Sequence, residues 1–175
     1  MTRAWLGAVV VAAMVAGSGL AAAQSPRGTL SSGDRKFVEE AAEGGRMEVE
    51  LGQMAKQKAS NDAVKQFGER MATDHSKANQ ELAQLASGKG IELPKQPGRT
   101  AQSEQDRLSK ASGSTFDREY VKMMVKDHEK DVAAFKRASK DAKDPDVKAW
   151  AAKTLPTLED HLKSIKQIES QVAST

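Results

Sequence analysis

The chain has 175 residues, no cysteine, and 27 basic against 24 acidic side chains, a net charge of +3. That length gives one domain of ordinary size with an adequate core and no disulfide scaffold. The pI of 9.1 reflects a small excess on a mixed surface, and without a basic stripe interleaved with aromatics it gives no nucleic-acid partner.

Residues 1–23 read as a cleaved signal peptide. Arg3 precedes an apolar run over residues 4–16, Gly17-Ser18-Gly19 breaks it, and Ala21-Ala22-Ala23 places small residues before the expected cut. The run is shorter than the roughly 20 residues that span a bilayer. The expected mature chain starts at Gln24, is periplasmic or secreted, and has no stable membrane insertion. Residues 24–33 form a flexible leader, and residues 34–172 the folded domain.

The first helix is predicted from Asp34 or Ser32 to about Lys58, with Phe37, Ala41, Gly44, Glu48, Leu51 and Ala55 in one line. Gly44-Gly45 inside it costs about 2 kcal/mol relative to alanine, so either the helix breaks or a neighbour packs closely there. The second helix opens on Ser60-Asn61-Asp62, good capping chemistry, and runs to about Ser87 through Val64, Phe67, Met71, His75, Ala78, Leu82 and Leu85. Residues 88–113 contain Gly88, Gly90, Pro94 and Pro97-Gly98 and read as a long crossover with a short polar helix at about 100–112. Ser114 is expected to cap the third long helix, to about Asp141, with Asp117, Val121, Met124, His128, Val132 and Phe135 aligned. Asp144-Pro145 starts the fourth, which continues to about Gln171 past Val147, Trp150, Leu158, His161, Ile165 and Ile168. Pro156 should kink it. Hairpin, crossover, hairpin is the connectivity of an all-α, ferritin-like four-helix bundle.

All three histidines occupy apolar faces of different helices, in the settings Asp74-His75, Asp127-His128 and Asp160-His161, and the remaining helix carries Glu48 on its stripe. Glu48 and His75 lie 12 and 15 residues from the first bend, and His128 and His161 lie 15 and 18 from the second. At about 1.5 Å per residue each pair is level to within about 5 Å. The relative height of the two hairpins is an assumption. Buried polar groups need a partner or a ligand, and three imidazoles with a carboxylate suit one Zn, Fe or Cu ion. Met71 and Met124, one turn before His75 and His128, add a copper-like hint against their ordinary role as core filler.

The rival reading is a structural or interaction bundle whose histidines form a buried hydrogen-bonded network. A mononuclear metal oxidase or hydrolase needs an open coordination position as well. The aspartate before each histidine is either solvated or orients an imidazole of an adjacent helix. A di-iron centre is disfavoured, because Ala72, Val125 and Leu158 stand where Glu-x-x-His motifs need acids.

Glu48-Val49-Glu50-Leu51-Gly52, Met71-Ala72-Thr73-Asp74-His75, Phe116-Asp117 with Tyr120, Met124-Val125-Lys126-Asp127-His128, and Leu155-Pro156 with His161-Leu162 together carry a family signature. Over Phe37 to Val172 the chain resembles the DUF4142 family of bacterial exported ferritin-like proteins. That resemblance implies the helical fold and an extracytoplasmic location, and brings no established activity. The expected role is metal handling or envelope stress protection.

Overall fold

The computed structural model describes residues 30–96 and 98–173; the expected signal peptide lies outside them. Among the described residues five helices follow in order: α1 Ser32–Lys58, α2 Asp62–Gly88, α3 Arg99–Ser109, α4 Gly113–Asp141 and α5 Pro145–Val172. None is long and apolar enough to cross a membrane.

Local chemistry sets these bounds. The Asn61 side chain accepts from the Ala63 and Val64 backbone N–H groups, and Asp144 accepts from Asp146 and Val147, so both hairpins restart on a cap. At the end of α2, Gly90 adopts φ 68° while Ile91 N–H donates to the Ala86 carbonyl and Gly90 N–H to Ser87. That left-handed stop suits glycine, and it turns Ile91 into the core. Two expectations shift. Ser112, not Ser114, precedes α4, without a side-chain cap bond. The α1 cap is Ser31, which accepts from the Asp34 N–H. The α5 helix runs through Pro156 without interruption.

α1 and α2 form one antiparallel hairpin, α4 and α5 the other, and the crossover with α3 runs along α1 and α4. The buried line of α1 is Asp34, Val38, Ala42, Gly45, Glu48, Leu51, Gly52 and Ala55. Phe37, Ala41 and Gly44 are only half-buried, one position off the predicted line. α1 packs on two neighbours, so its apolar arc is wider than one stripe.

Each hairpin caps the other. Asp117, near the start of α4, accepts from the Ser60 hydroxyl and from the Ser60 and Asn61 backbone N–H groups, the latter at 3.1 and 3.0 Å. Asp34, near the start of α1, accepts from the Lys143 and Asp144 N–H groups at 3.1 and 2.9 Å. Both carboxylates are buried. Asp34 and Asp117 are 83 positions apart, as are Val38 and Val121, Ala59 and Ala142, Asn61 and Asp144, Val64 and Val147, and Phe67 and Trp150. The two hairpins are therefore equivalent units in sequence position and in their mutual contacts.

α2 packs closely on α1 at Gly45, as the sequence led one to expect, and the two backbones meet at Gly52 and Gly68. A Cβ on Gly68 would meet Ala55 Cβ at 2.6 Å and the Gly52 carbonyl at 2.7 Å. Gly45 abuts the Asn79 side chain, whereas a Cβ on Gly44 would meet nothing within 4 Å. Gly68→Ala is expected to lose about 2 kcal/mol, because backbone must move apart. Gly44→Ala gains up to about 1 kcal/mol from helix propensity. Urea titrations of the two variants check this opposite pair of signs.

The core divides in two. Leu51, Phe67, Met71, Tyr120, Met124 and Ile165 belong to one apolar cluster, and Val38, Leu82, Val132, Phe135, Trp150 and Leu158 to the other. In sequence each pair of flanking apolar residues brackets a polar one: Glu48, His75, His128 or His161.

Candidate metal centre

The four groups meet at mid-height, so the two hairpins share the level that sequence counting left open. Glu48, His75, His128 and His161 are 1%, 5%, 0% and 0% exposed. Ring centroids are separated by 5.4 Å for His75–His161 and His128–His161, and by 5.9 Å for His75–His128. One nitrogen of each ring lies within 4.8 Å of the corresponding atoms of the other two. The Phe67 ring closes one side, 6.1 Å from His128 and 6.3 Å from His161.

Each imidazole has one nitrogen facing an oxygen acceptor. His128 Nδ1 lies 2.9 Å from the Met124 carbonyl, which accepts a hydrogen bond from Nδ1–H and so leaves the lone pair on Nε2. His161 Nε2 lies 2.8 Å from Asp74 Oδ2, the carboxylate–imidazole contact that orients metal-ligating histidines. His75 Nδ1 lies 3.0 Å from Glu48 Oε2, and His128 Nδ1 lies 3.4 Å from Oε1 of the same carboxylate. These last two approaches are close but poorly aligned. The nitrogens left over, His75 Nε2, His128 Nε2 and His161 Nδ1, are buried without any hydrogen-bond partner. An unpaired polar atom in a core costs about 1–3 kcal/mol, and here there is one on each of three rings. A transition metal fits this donor set.

Glu48, expected beside the histidines as a ligand, instead contacts the outer nitrogens. Burial pushes its carboxyl up, but the charges of His75, His128 and His161 outweigh that and hold it at about 2. Burial disfavours the His75 cation, and the adjoining Glu48 overrides it and raises His75. Burial lowers His128. It lowers His161 to about 4, against the upward pull of the Asp74 hydrogen bond. Neutral His128 and His161 at pH 7 are in the ligating state.

Of the three preceding aspartates, Asp74 is bonded to His161 and also pairs with Arg70 at 3.3 Å. Asp160 is exposed and pairs with Arg70 at 2.7 Å. Burial, then the Glu48 charge, pushes Asp127 up to about 6. Sequence reading missed Asp131, which the same two causes push up to about 8. Its position three residues after His128 and four after Asp127 was the available signal.

The depressed His161 gives a pH prediction. A histidine near 4 in the fold and near 6.5 when unfolded contributes stability that is present above pH 6.5 and lost as pH falls toward 4. The loss amounts to about 3 kcal/mol. Metal-free protein denatured chemically between pH 7 and 4 should therefore weaken more steeply than His161→Gln across that window. Parallel slopes would contradict it.

The family described as "Domain of unknown function (DUF4142)" matches residues 19–168. No curated protein matches. Among solved structures, a DUF305 fragment from Deinococcus radiodurans superposes with TM-score 0.72 at 12% identity, covering 82% of this chain and 99% of its own. A DUF305 protein from Streptomyces coelicolor gives 0.68 at 13%, covering 81% and 94%. CopM in its Cu(I)-bound form gives 0.66 at 19%, covering 79% and 96%. It was also solved in Cu(II)-bound and silver-bound forms. At these identities the likeness is one of fold.

Proposed function

The chain belongs to the DUF4142 family, and from that premise we propose that it is an exported bundle binding one transition metal ion, copper first among the candidates with zinc and iron behind it. The ligands are His75 Nε2, His128 Nε2 and His161 Nδ1. Glu48 and Asp74 sit behind the rings, orienting them and balancing the ion's charge. The biological use is metal handling or envelope stress protection. The observation that carries this reading is the convergence of imidazole nitrogens from three helices, on rings that each hold one buried nitrogen without a hydrogen-bond partner.

Metal–nitrogen bonds of about 2.0–2.1 Å place ligand nitrogens some 3.3 Å apart around a tetrahedral ion. The present limit of 4.8 Å therefore requires only a small inward movement. Copper is favoured by the nitrogen-rich set, by the buried thioethers of Met71 and Met124 one turn away, and by the copper- and silver-bound states of the structurally similar CopM. Export is supported by the sequence of residues 1–23.

Calorimetric titration of metal-free protein with Cu(II), Zn(II) and Fe(II) tests the reading. One ion per chain with Kd below about 100 μM is expected. No binding at that level rejects it in favour of a purely structural histidine network.

A further inference from the structure

A cleft of about 240 Å³ opens between α1 and α4 beside α3. Its acidic lining is Glu40, Glu43, Glu48, Glu104, Asp127 and Asp131, against one ammonium, that of Lys130. A smaller inner pocket of about 20 Å³ reaches His75 and is walled in part by Ala41, Gly44, Glu48 and Asp131, which also line the cleft. Glu48 is 1% exposed, and neither of its oxygens has a hydrogen-bond partner. A buried carboxylate held only by imidazole contacts thus stands at the inner end of an acidic cleft.

The carboxylates do not themselves form a coordination sphere. Among the described residues, the three histidines are the group whose ligand atoms lie close enough to hold an ion. The charge is carried by Glu40, Glu43 and Glu104 along the wall and Glu48 at its inner end, an arrangement that attracts and passes cations, while Asp131, pushed up to about 8, adds little charge near pH 7. The opposite seam, between α2 and α5, is different. There Asp74 and Asp160 are tied down by the Arg70 guanidinium outside His161. Of the two seams beside the histidines, the α1/α4 cleft gathers more carboxylates and has no arginine in its lining to pair them.

We infer that the α1/α4 cleft is the entry route by which a metal cation reaches the histidine site, with Glu48 as its inner handover group. The inference rests on the metal-binding reading above. Converging negative charge in a low-dielectric cleft raises the local cation concentration and the rate of capture. Gly44 keeps the passage open: it borders both cavities, and a Cβ there meets nothing within 4 Å.

Stopped-flow uptake of Cu(II) by the metal-free full chain, followed by tryptophan fluorescence, tests this in two variants. Gly44→Leu fills the passage without a backbone clash. Its association and dissociation rates should both fall at least about tenfold, with Kd within about threefold of the parent, because a barrier on the route slows both directions. Glu43→Gln/Glu104→Gln, at the rim, should slow association several-fold at low salt and flatten its salt dependence. Unchanged rates in Gly44→Leu, with one Cu(II) still bound at equilibrium, overturn the entry route and leave the metal site standing. A weaker Kd with an unslowed dissociation rate also overturns it. A parent protein that takes up no Cu(II) removes the metal-binding reading and this inference together.

Discussion

His128→Ala is expected to weaken metal binding at least about 100-fold, because it removes one of three convergent donors and leaves no replacement nitrogen. His128 is fully buried and fixed through Nδ1 to the Met124 carbonyl. The same change opens a hole beside Phe67 and should cost about 2 kcal/mol in the metal-free state. These readouts separate the two readings of the polar layer. A purely structural network predicts the stability loss and unchanged metal content. Asp74→Asn supplies the graded control: it touches no ion, keeps a hydrogen bond to His161, and should weaken affinity about 10- to 100-fold. Calorimetry with elemental analysis of the dialysed proteins checks all three.

The second large effect lies at the ends of the bundle. Asp34→Ala and Asp117→Ala should each lose about 2–3 kcal/mol, since each strands the backbone donors of a bend that belongs to the other hairpin. The two carboxylates serve opposite ends, so the double variant should lose the sum, about 5 kcal/mol. That is a large part of the stability of a domain this size. Guanidinium denaturation of the three variants gives the numbers; a double variant no weaker than either single one would contradict the reciprocal arrangement.

Much of this architecture was legible in the chain. The 3.6-residue periodicity and the caps at Asn61 and Asp144 located both bends, and counting from them placed each pair of polar groups at one level. What escaped was whatever depends on contacts distant in sequence. Asp34 looks like a local cap; it sits instead on the bend at Lys143-Asp144. Gly44-Gly45 draws the eye as a pair, whereas the backbones touch at Gly52 and Gly68, single glycines on separate helices. The Phe37, Ala41 and Gly44 line was misplaced by one residue because these side chains border a cleft and not the sealed core. Periodicity alone cannot tell the two apart. The orienting role of Asp74 was visible only as one of two options, since a residue 100° around its own helix reveals its partner only when the neighbouring helix is in place.

The polar layer has a mechanical consequence. Oil-like contacts knit the helices above it and below it, but across the middle the rods are joined by imidazoles and a carboxylate, with one nitrogen of each ring lacking a hydrogen-bond partner. With its inward nitrogens unsatisfied, the metal-free waist should show quicker amide exchange than the two apolar clusters. An ion seated in it would act as a rivet through α2, α4 and α5, fastening both hairpins at once, so that loading should be felt as stiffness along the whole length of the bundle.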